Sequence, residues 1–313
     1  MSKSITEITY NKIEDFYNEI LGINGKLLNE FTGCTGNQYY NKYIFRGESS
    51  SKNKLIPSVL RIGNMTKVCE LSGLFSPNIG IQCELNQVKS EEMILEIFYE
   101  KCDEKGLKVP LIERFRPHNI LTGFNRESTN MWIPNDLFEL AGLAQHYGIP
   151  TRLLDWSFNI FIALYFALKG VQSNDEYCSL WAYNYDGFQH YYTNKTNKLA
   201  VIVPEYSQNP NLKAQQGVFT HWQIETHSYT LVNKPVDRRS LDEQFESQIR
   251  ADETADYSKV FYKINIPTKF SKELYKYLSV IGYDGSTLFP GYNGVARLMT
   301  EDAHHIDNYI HKL

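Results

Sequence analysis

Gln145-His146-Tyr147-Gly148-Ile149-Pro150-Thr151-Arg152-Leu153-Leu154-Asp155-Trp156-Ser157 gathers an imidazole, a phenol, a guanidinium, a carboxyl and an indole within thirteen residues. Gly148 and Pro150 break it between two helix-like stretches. Upstream, Asn135 or Asp136 can cap a helix that runs to His146 with Leu137, Leu140, Ala141 and Ala144 inward. Downstream, Ser157 can cap a second helix through Leu168. That helix is apolar nearly all round, and therefore central. Ala163 and Ala167 allow a close neighbour. Polar side chains concentrated at such a break point to a site rather than to core.

A second polar cluster, Phe45-Arg46-Gly47-Glu48-Ser49-Ser50, lies about a hundred residues upstream. Tyr43-Ile44-Phe45-Arg46 reads as a short strand ending at Gly47. A guanidinium at a strand end can grip phosphate or carboxylate in two-point fashion, and Gly47 lets a ligand or a neighbouring chain approach the backbone. The competing structural reading is an Arg–Asp pair with Asp155, and the two readings are compatible.

Working outward, residues 7–30 read as an opening helix and loop, and residues 31–42 as loop. Cys69 to Asn86 reads as an excursion. Ser90 to Lys105 reads as a helix whose Glu91 and Glu92 sit in the first turn, where the dipole favours them. The second half reads mostly as strand: Tyr177–Tyr183, Leu199–Val203, Gly217–Gln223 and Val260–Ile266. A helix follows over Ser271–Ser279, then a glycine-rich turn and a short terminal helix. The charged stretch 237–257 is either an exposed helix or a loop. The fold class is α+β. A single mixed domain has its helices mainly in the first half and around a strand-rich core in the second.

The 313 residues carry a formal net charge of −4, which argues against a nucleic-acid partner. The apolar run Ile160–Leu168 is too short to span a bilayer, and the first residues resemble no signal peptide. The five cysteines form no CxxC pair, so a reducing cytoplasm is the expected setting. HExxH, the phosphate-binding P-loop, GxGxxG and GxSxG are all missing from the sequence, and no metal is expected. His304 and His305, adjacent near the end, could bind a metal casually.

Phe45-Arg46-Gly47 and the stretch Leu143–Ser157, continued by Ala163-Leu164-Tyr165-Phe166-Ala167, resemble the FRG-domain family, named for its Phe-Arg-Gly motif. Gln216-Gly217-Val218-Phe219 and Leu288-Phe289-Pro290-Gly291 with Gly294 look like later blocks of that family. The resemblance covers roughly residues 43–300. It leaves 1–42 as an N-terminal helical extension and 301–313 as a tail. It implies a bacterial, phage-associated setting of defence or toxin type.

An Arg-Gly at an early strand end also resembles, more faintly, the first motif of mono-ADP-ribosyltransferases, and that likeness implies a split-sheet fold. It departs at the late strand. Gln215-Gln216-Gly217 stands where those enzymes carry a catalytic glutamate, which leaves Glu48, Asp155 and Glu243 as candidate carboxylates.

The resulting expectation is an NAD-dependent ADP-ribosyltransferase or NAD glycohydrolase, with a protein acceptor in the first case. Asp155 and His146 are the candidate catalytic residues. Arg46, Gly47, Tyr147, Thr151, Arg152, Trp156 and Gln216 are the candidate ligand contacts. Arg46 would clamp the pyrophosphate, and Tyr147 or Trp156 would stack on nicotinamide. Asp155 would orient a ribose hydroxyl, and His146, favoured as a cation at a helix C-terminus, would bind ribose or assist the acceptor. The alternative is a non-enzymatic nucleotide-binding or protein-interaction module in which the same cluster braces the central helices.

Overall fold

The computed structural model describes residues 5–22, 24–35, 38–112, 115, 131–172, 174–185, 198–207, 209–226, 231–249 and 259–305. Eleven strands are present among them. They are β1 (Ile5–Thr9), β2 (Thr32–Thr35), β3 (Gln38–Asn41), β4 (Tyr43–Glu48), β5 (Met131–Trp132) and β6 (Leu154–Ser157). β7 (Tyr177–Asn184), β8 (Leu199–Ile202), β9 (Gly217–Trp222), β10 (Ile224–Glu225) and β11 (Phe261–Pro267) follow. Seven of these make one sheet in the order β1-β11-β7-β4-β6-β9-β8. The β1–β11 pair is parallel and the others are antiparallel. The chain is α+β, as expected.

β7 is an interior strand, between β11 and β4, and both its faces are apolar. Cys178, Leu180 and Ala182 pack on one side, Trp181 and Tyr183 on the other. The first side is covered by two helices, Ile160–Lys169 and Ser271–Val280. The second is covered by the helix Leu241–Ile249 through Leu241 and Phe245. A further cluster lies beyond the β6–β9 edge. There the long helix Glu84–Glu104 and the helix Phe138–His146 pack on Leu153, Ile202 and Phe219.

The central helix Ile160–Lys169 approaches β4 closely at Gly47. A Cβ on Gly47 would overlap the Ala163 carbonyl and the Ala167 amide nitrogen. The glycine of the Phe-Arg-Gly motif and the two small helix residues are therefore one packing device, a neighbouring chain segment being what approaches the backbone there.

Four expectations are corrected. Residues 5–9 form an edge strand rather than the start of a helix, because β11 offers them a parallel partner from Phe261 to Asn265. Ser157 ends β6 (Leu154–Ser157) rather than capping the central helix. Pairing from Leu154↔Thr220 to Ser157↔Gly217 claims that strand, and the central helix begins after Asn159, whose side chain accepts from the Phe161 amide at 2.9 Å. The long helix begins at Glu84 rather than Ser90, which places Glu84 and Glu91 two turns apart on one buried face. Thr32–Thr35 and Gln38–Asn41 pair as antiparallel strands β2 and β3 instead of forming loop. Of the charged stretch, 241–249 is helical, and 250–257 lies outside the described residues.

Candidate functional site

β4 and β6 are neighbours in the sheet but share one paired position, Phe45↔Ser157. Beyond it the strands part, and a side chain fills the gap. Arg46 Nη1 donates to the Asp155 carbonyl oxygen at 2.7 Å, while Nε donates to Glu48 Oε1 at 2.7 Å and Nη2 pairs with the same oxygen at 2.7 Å. The Glu48 carboxylate also accepts from Asn53 Nδ2 at 3.2 Å. Three of the five guanidinium N–H groups are thus held by protein, which fixes the plane of the fork. The Asp155 carboxylate stands 4.0 Å from Nη1 and is 65% exposed, so it is oriented beside a cation yet open to a ligand. Gln145 Nε2 donates to its Oδ1 at 2.6 Å.

This gap opens on a cleft of about 370 Å³. Arg46, Glu48, Asp155 and Ser157 form its polar side, Gln215 its far wall, and Phe166 and Lys169 of the central helix its roof. Lys169 has no feature in the sequence that singles it out. Among the described residues its ammonium has no ion pair or hydrogen bond. It lies over the rings of Phe166 at 4.7 Å, Phe289 at 5.2 Å and Tyr165 at 5.8 Å. Burial, and secondarily the Arg297 guanidinium, lower its pKa, with Glu301 opposing.

A second depression of about 230 Å³ lies on the other side of the Arg46–Asp155 link. It shares both residues with the cleft and adds Arg61 and Lys67. Lys67 Nζ is held by the Gly148 carbonyl at 2.9 Å, and Gly148 sits in the left-handed region at φ +80°, where glycine is at ease.

The other candidate residues are placed differently. His146 ends its helix on the exposed surface, outside the cleft wall, with Nε2 3.2 Å from Asn211 Nδ2. Its pKa is lowered by partial burial, which outweighs the opposing pull of Asp155, contrary to the rise expected at a helix C-terminus. Tyr147 is 70% exposed and meets the His146 ring edge-on at 5.1 Å. Trp156 lines the cleft, but its ring belongs to the core against Phe261 and Tyr183, and Nε1 donates to Thr220 Oγ1 at 2.7 Å. Phe45, Phe166 and Phe219 are the other aromatic residues that line the cleft.

Thr151 is buried. Its hydroxyl donates to Gln145 Oε1, so it steers the amide that steers Asp155. Gln216 is a non-glycine residue at φ +44°, pinned by Phe158 and Lys213 through its main chain. Its neighbours Gln215 and Gly217, not Gln216 itself, line the cleft.

Arg152 faces away from the cleft. It is 3% exposed and meets Glu91 through Nη2 at 2.8 Å and Glu84 through Nη1 at 2.8 Å. Glu91 also accepts from Trp132 Nε1 at 2.6 Å and Gln87 Nε2 at 2.9 Å. Glu84 accepts from the Asp237 amide at 2.9 Å. Burial works against the Arg152 charge, but Glu91 and Glu84 outweigh it and raise its pKa. The spacing of 61 and 68 residues between these partners left no local signal.

Residues 41–176 match the family model of the FRG domain. This part of the chain is an FRG domain. The match takes in β4, the link from Arg46 to Asp155, and the central helix. The FRG domain therefore supplies one wall of the cleft and its roof, whereas Gln215 and Gly217–Phe219 come from residues beyond the match. No curated protein and no solved structure matches the chain. Among the described residues, no group of three or more His, Cys, Asp or Glu could hold a metal ion. No helix there is long and apolar enough to cross a membrane. The side chains of His304 and His305 lie outside the described residues.

Proposed function

We propose that the cleft binds NAD as a substrate and that the protein breaks its nicotinamide–ribose bond, passing ADP-ribose to water or to a protein acceptor. The observation that carries this reading is the juxtaposition of a fixed guanidinium, Arg46, and an exposed, oriented carboxylate, Asp155, at a split between two sheet strands. Two depressions share these residues, with volumes of about 370 and 230 Å³. Together they reach the range of roughly 300–1,000 Å³ usual for ligand sites.

Arg46 has two N–H groups left for a pyrophosphate oxygen, with Lys169 lining the cleft on one side of it and Arg61 and Lys67 the depression on the other. Asp155 accepts from a ribose hydroxyl. It also faces the positive charge that develops as the glycosidic bond opens, the kind of preorganised electrostatic help that dominates many enzymes. The split between β4 and β6 supports the likeness to the split sheet of ADP-ribosyltransferases. Glu48, already committed to Arg46 and Asn53, positions the guanidinium. His146, outside the cleft but within electrostatic reach of Asp155, is left for the acceptor. The bacterial defence or toxin setting rests on the family resemblance alone.

The test is incubation of the full chain with NAD and cell lysate, with nicotinamide release and ADP-ribose attachment followed by mass spectrometry. Release without attachment marks a glycohydrolase, and attachment marks a transferase. The rival reading, a nucleotide-binding module without chemistry, has one observation in its favour. Arg46 is already braced by three protein contacts, as a purely structural link would be. It requires NAD or nucleotide binding without turnover.

A further inference from the structure

The depression on the far side of the Arg46–Asp155 link holds more cationic donors than the protein uses. Three cations line it, Arg46, Arg61 and Lys67, and one carboxylate, Asp155. Glu48 already answers Arg46. Arg61 and Lys67 have no ion pair among the described residues. Each gives one hydrogen bond to a main-chain carbonyl, Arg61 Nε to Ile56 at 2.9 Å and Lys67 Nζ to Gly148 at 2.9 Å. A guanidinium has about five N–H donors and an ammonium about three, so most of the donors on both residues are left over. Glu70, the acid of the helix Met65–Ser72 that carries Lys67, makes no ion pair with it.

The form of that surplus selects the ligand. A nucleic-acid strand needs a track of cations to neutralise successive phosphates. Here Arg61 and Lys67 stand beside a carboxylate, on a chain of net charge −4. A single anionic side chain needs no more than these two. The surroundings are apolar. Ile149 and Leu153 are in the lining, and two exposed side chains adjoin it along the chain. These are Ile62, next to Arg61 and 74% exposed, and Tyr147, next to Gly148 and 70% exposed. Cationic donors set among apolar and aromatic groups fit a protein segment in which an acidic residue has apolar neighbours. The volume, about 230 Å³, suits one such side chain rather than a whole nucleotide.

We propose that this depression is the acceptor subsite, and that the acceptor is an acidic protein segment whose Asp or Glu carboxylate is held by Arg61 and Lys67 beside Asp155. The acceptor role rests on the NAD reading of the cleft, which at about 370 Å³ has room for the donor by itself. Carboxylate binding in the depression does not rest on it. The step balances without a base. A carboxylate oxygen of the acceptor attacks the anomeric carbon of the nicotinamide ribose. The carbon–nitrogen bond breaks, its electron pair leaves with neutral nicotinamide, and no proton moves. Asp155 and the acceptor carry like charge, which Arg61 and Lys67 offset from one side and Arg46, 4.0 Å from the Asp155 carboxylate, from the other.

The experiment titrates three labelled probes with the full chain and reads fluorescence anisotropy. They are a short peptide with two glutamates between leucines, the same peptide with glutamines, and a single-stranded oligonucleotide of equal length. The glutamate peptide is expected to bind with a Kd below about 1 mM and at least about fivefold more tightly than the other two. Its binding should weaken as salt is raised. Arg61→Ala combined with Lys67→Ala, two exposed positions, should remove the preference for glutamate. If that variant does not fold, the glutamate–glutamine difference in the wild type and its loss in salt decide the matter. With NAD added, mass spectrometry should find ADP-ribose on the glutamates as an ester that neutral hydroxylamine releases. Equal binding of the two peptides, tighter binding of the oligonucleotide, or a preference that survives the double variant overturns the proposal. So does nicotinamide release that leaves the bound peptide unmodified. Peptide binding with no nicotinamide release would instead overturn the reading of the cleft, and the acceptor role with it, while leaving the carboxylate site in place.

Discussion

Arg46 on β4 reaches across a parted pair of strands and donates to the main-chain carbonyl of Asp155 on β6 at 2.7 Å. The side chain stands where a backbone hydrogen bond would otherwise close the sheet. The same contact fixes the guanidinium and sets the Asp155 carboxylate at the mouth of the cleft. Removing it is expected to act on binding and stability together. Arg46→Ala should weaken NAD binding at least about tenfold and lower stability by about 1–3 kcal/mol, since Glu48 then keeps a buried carboxylate without its cation. Calorimetry and urea unfolding check the two effects separately.

Arg152→Met tests the buried network. It leaves Glu84 and Glu91 facing each other without their cation, which should cost about 3–5 kcal/mol. Replacing all three residues by apolar ones of similar volume should recover most of that loss, as measured by urea unfolding.

Gly47→Ala should destabilise the chain by about 1–3 kcal/mol or more, because the added methyl meets backbone atoms of the central helix rather than a movable side chain. Compensation by trimming a neighbour is not available, since Ala163 and Ala167 are already small. Thermal unfolding of the single variant measures the cost.

His221 gives a pH signature. Its folded pKa, about 3, lies below its ordinary 6.5, so the unfolded chain binds the proton more readily. The stability this neutral ring represents is fully present above about pH 6.5 and is lost as the pH falls towards 3. The slope approaches about 1.4 kcal/mol per pH unit at its steepest. Unfolding free energies compared between wild type and His221→Phe over this range should show that extra slope in the wild type alone.

These outcomes bear on what the sequence made legible. The strands of the second half were readable because β7, β9 and β11 are apolar runs between turn residues, and the central helix because Ile160–Leu168 is apolar on every side. β6 was not readable. Leu154–Ser157 has no local pattern to separate it from a helix start, and its strand state comes from pairing with β9 some sixty residues later. β1 was hidden for the same reason, its partner being β11. At the site, Arg46 and Asp155 stood out as polar residues at chain breaks. Trp156 and Thr151 stood out equally, although they serve the core and the support of Asp155, because exposure has no signature in residue type. Lys169 was missed since a lysine at a helix C-terminus is unremarkable until Phe166 and Phe289 are seen to close around it.

Lys169→Gln follows from that placement. Its ammonium has no ion pair among the described residues, so its loss should leave stability within about 1 kcal/mol. NAD affinity should still fall several-fold, the reverse of the pattern expected for Arg152→Met. Calorimetry beside thermal unfolding separates the two.

The most direct measurement is nicotinamide release from NAD by the wild-type chain and by Asp155→Asn, a change that keeps shape and removes charge. The account predicts release by the wild type and a fall of about a hundredfold or more in the variant, with NAD still bound. Release that is equal in the two, or NAD bound by the wild type with no nicotinamide formed, would contradict it.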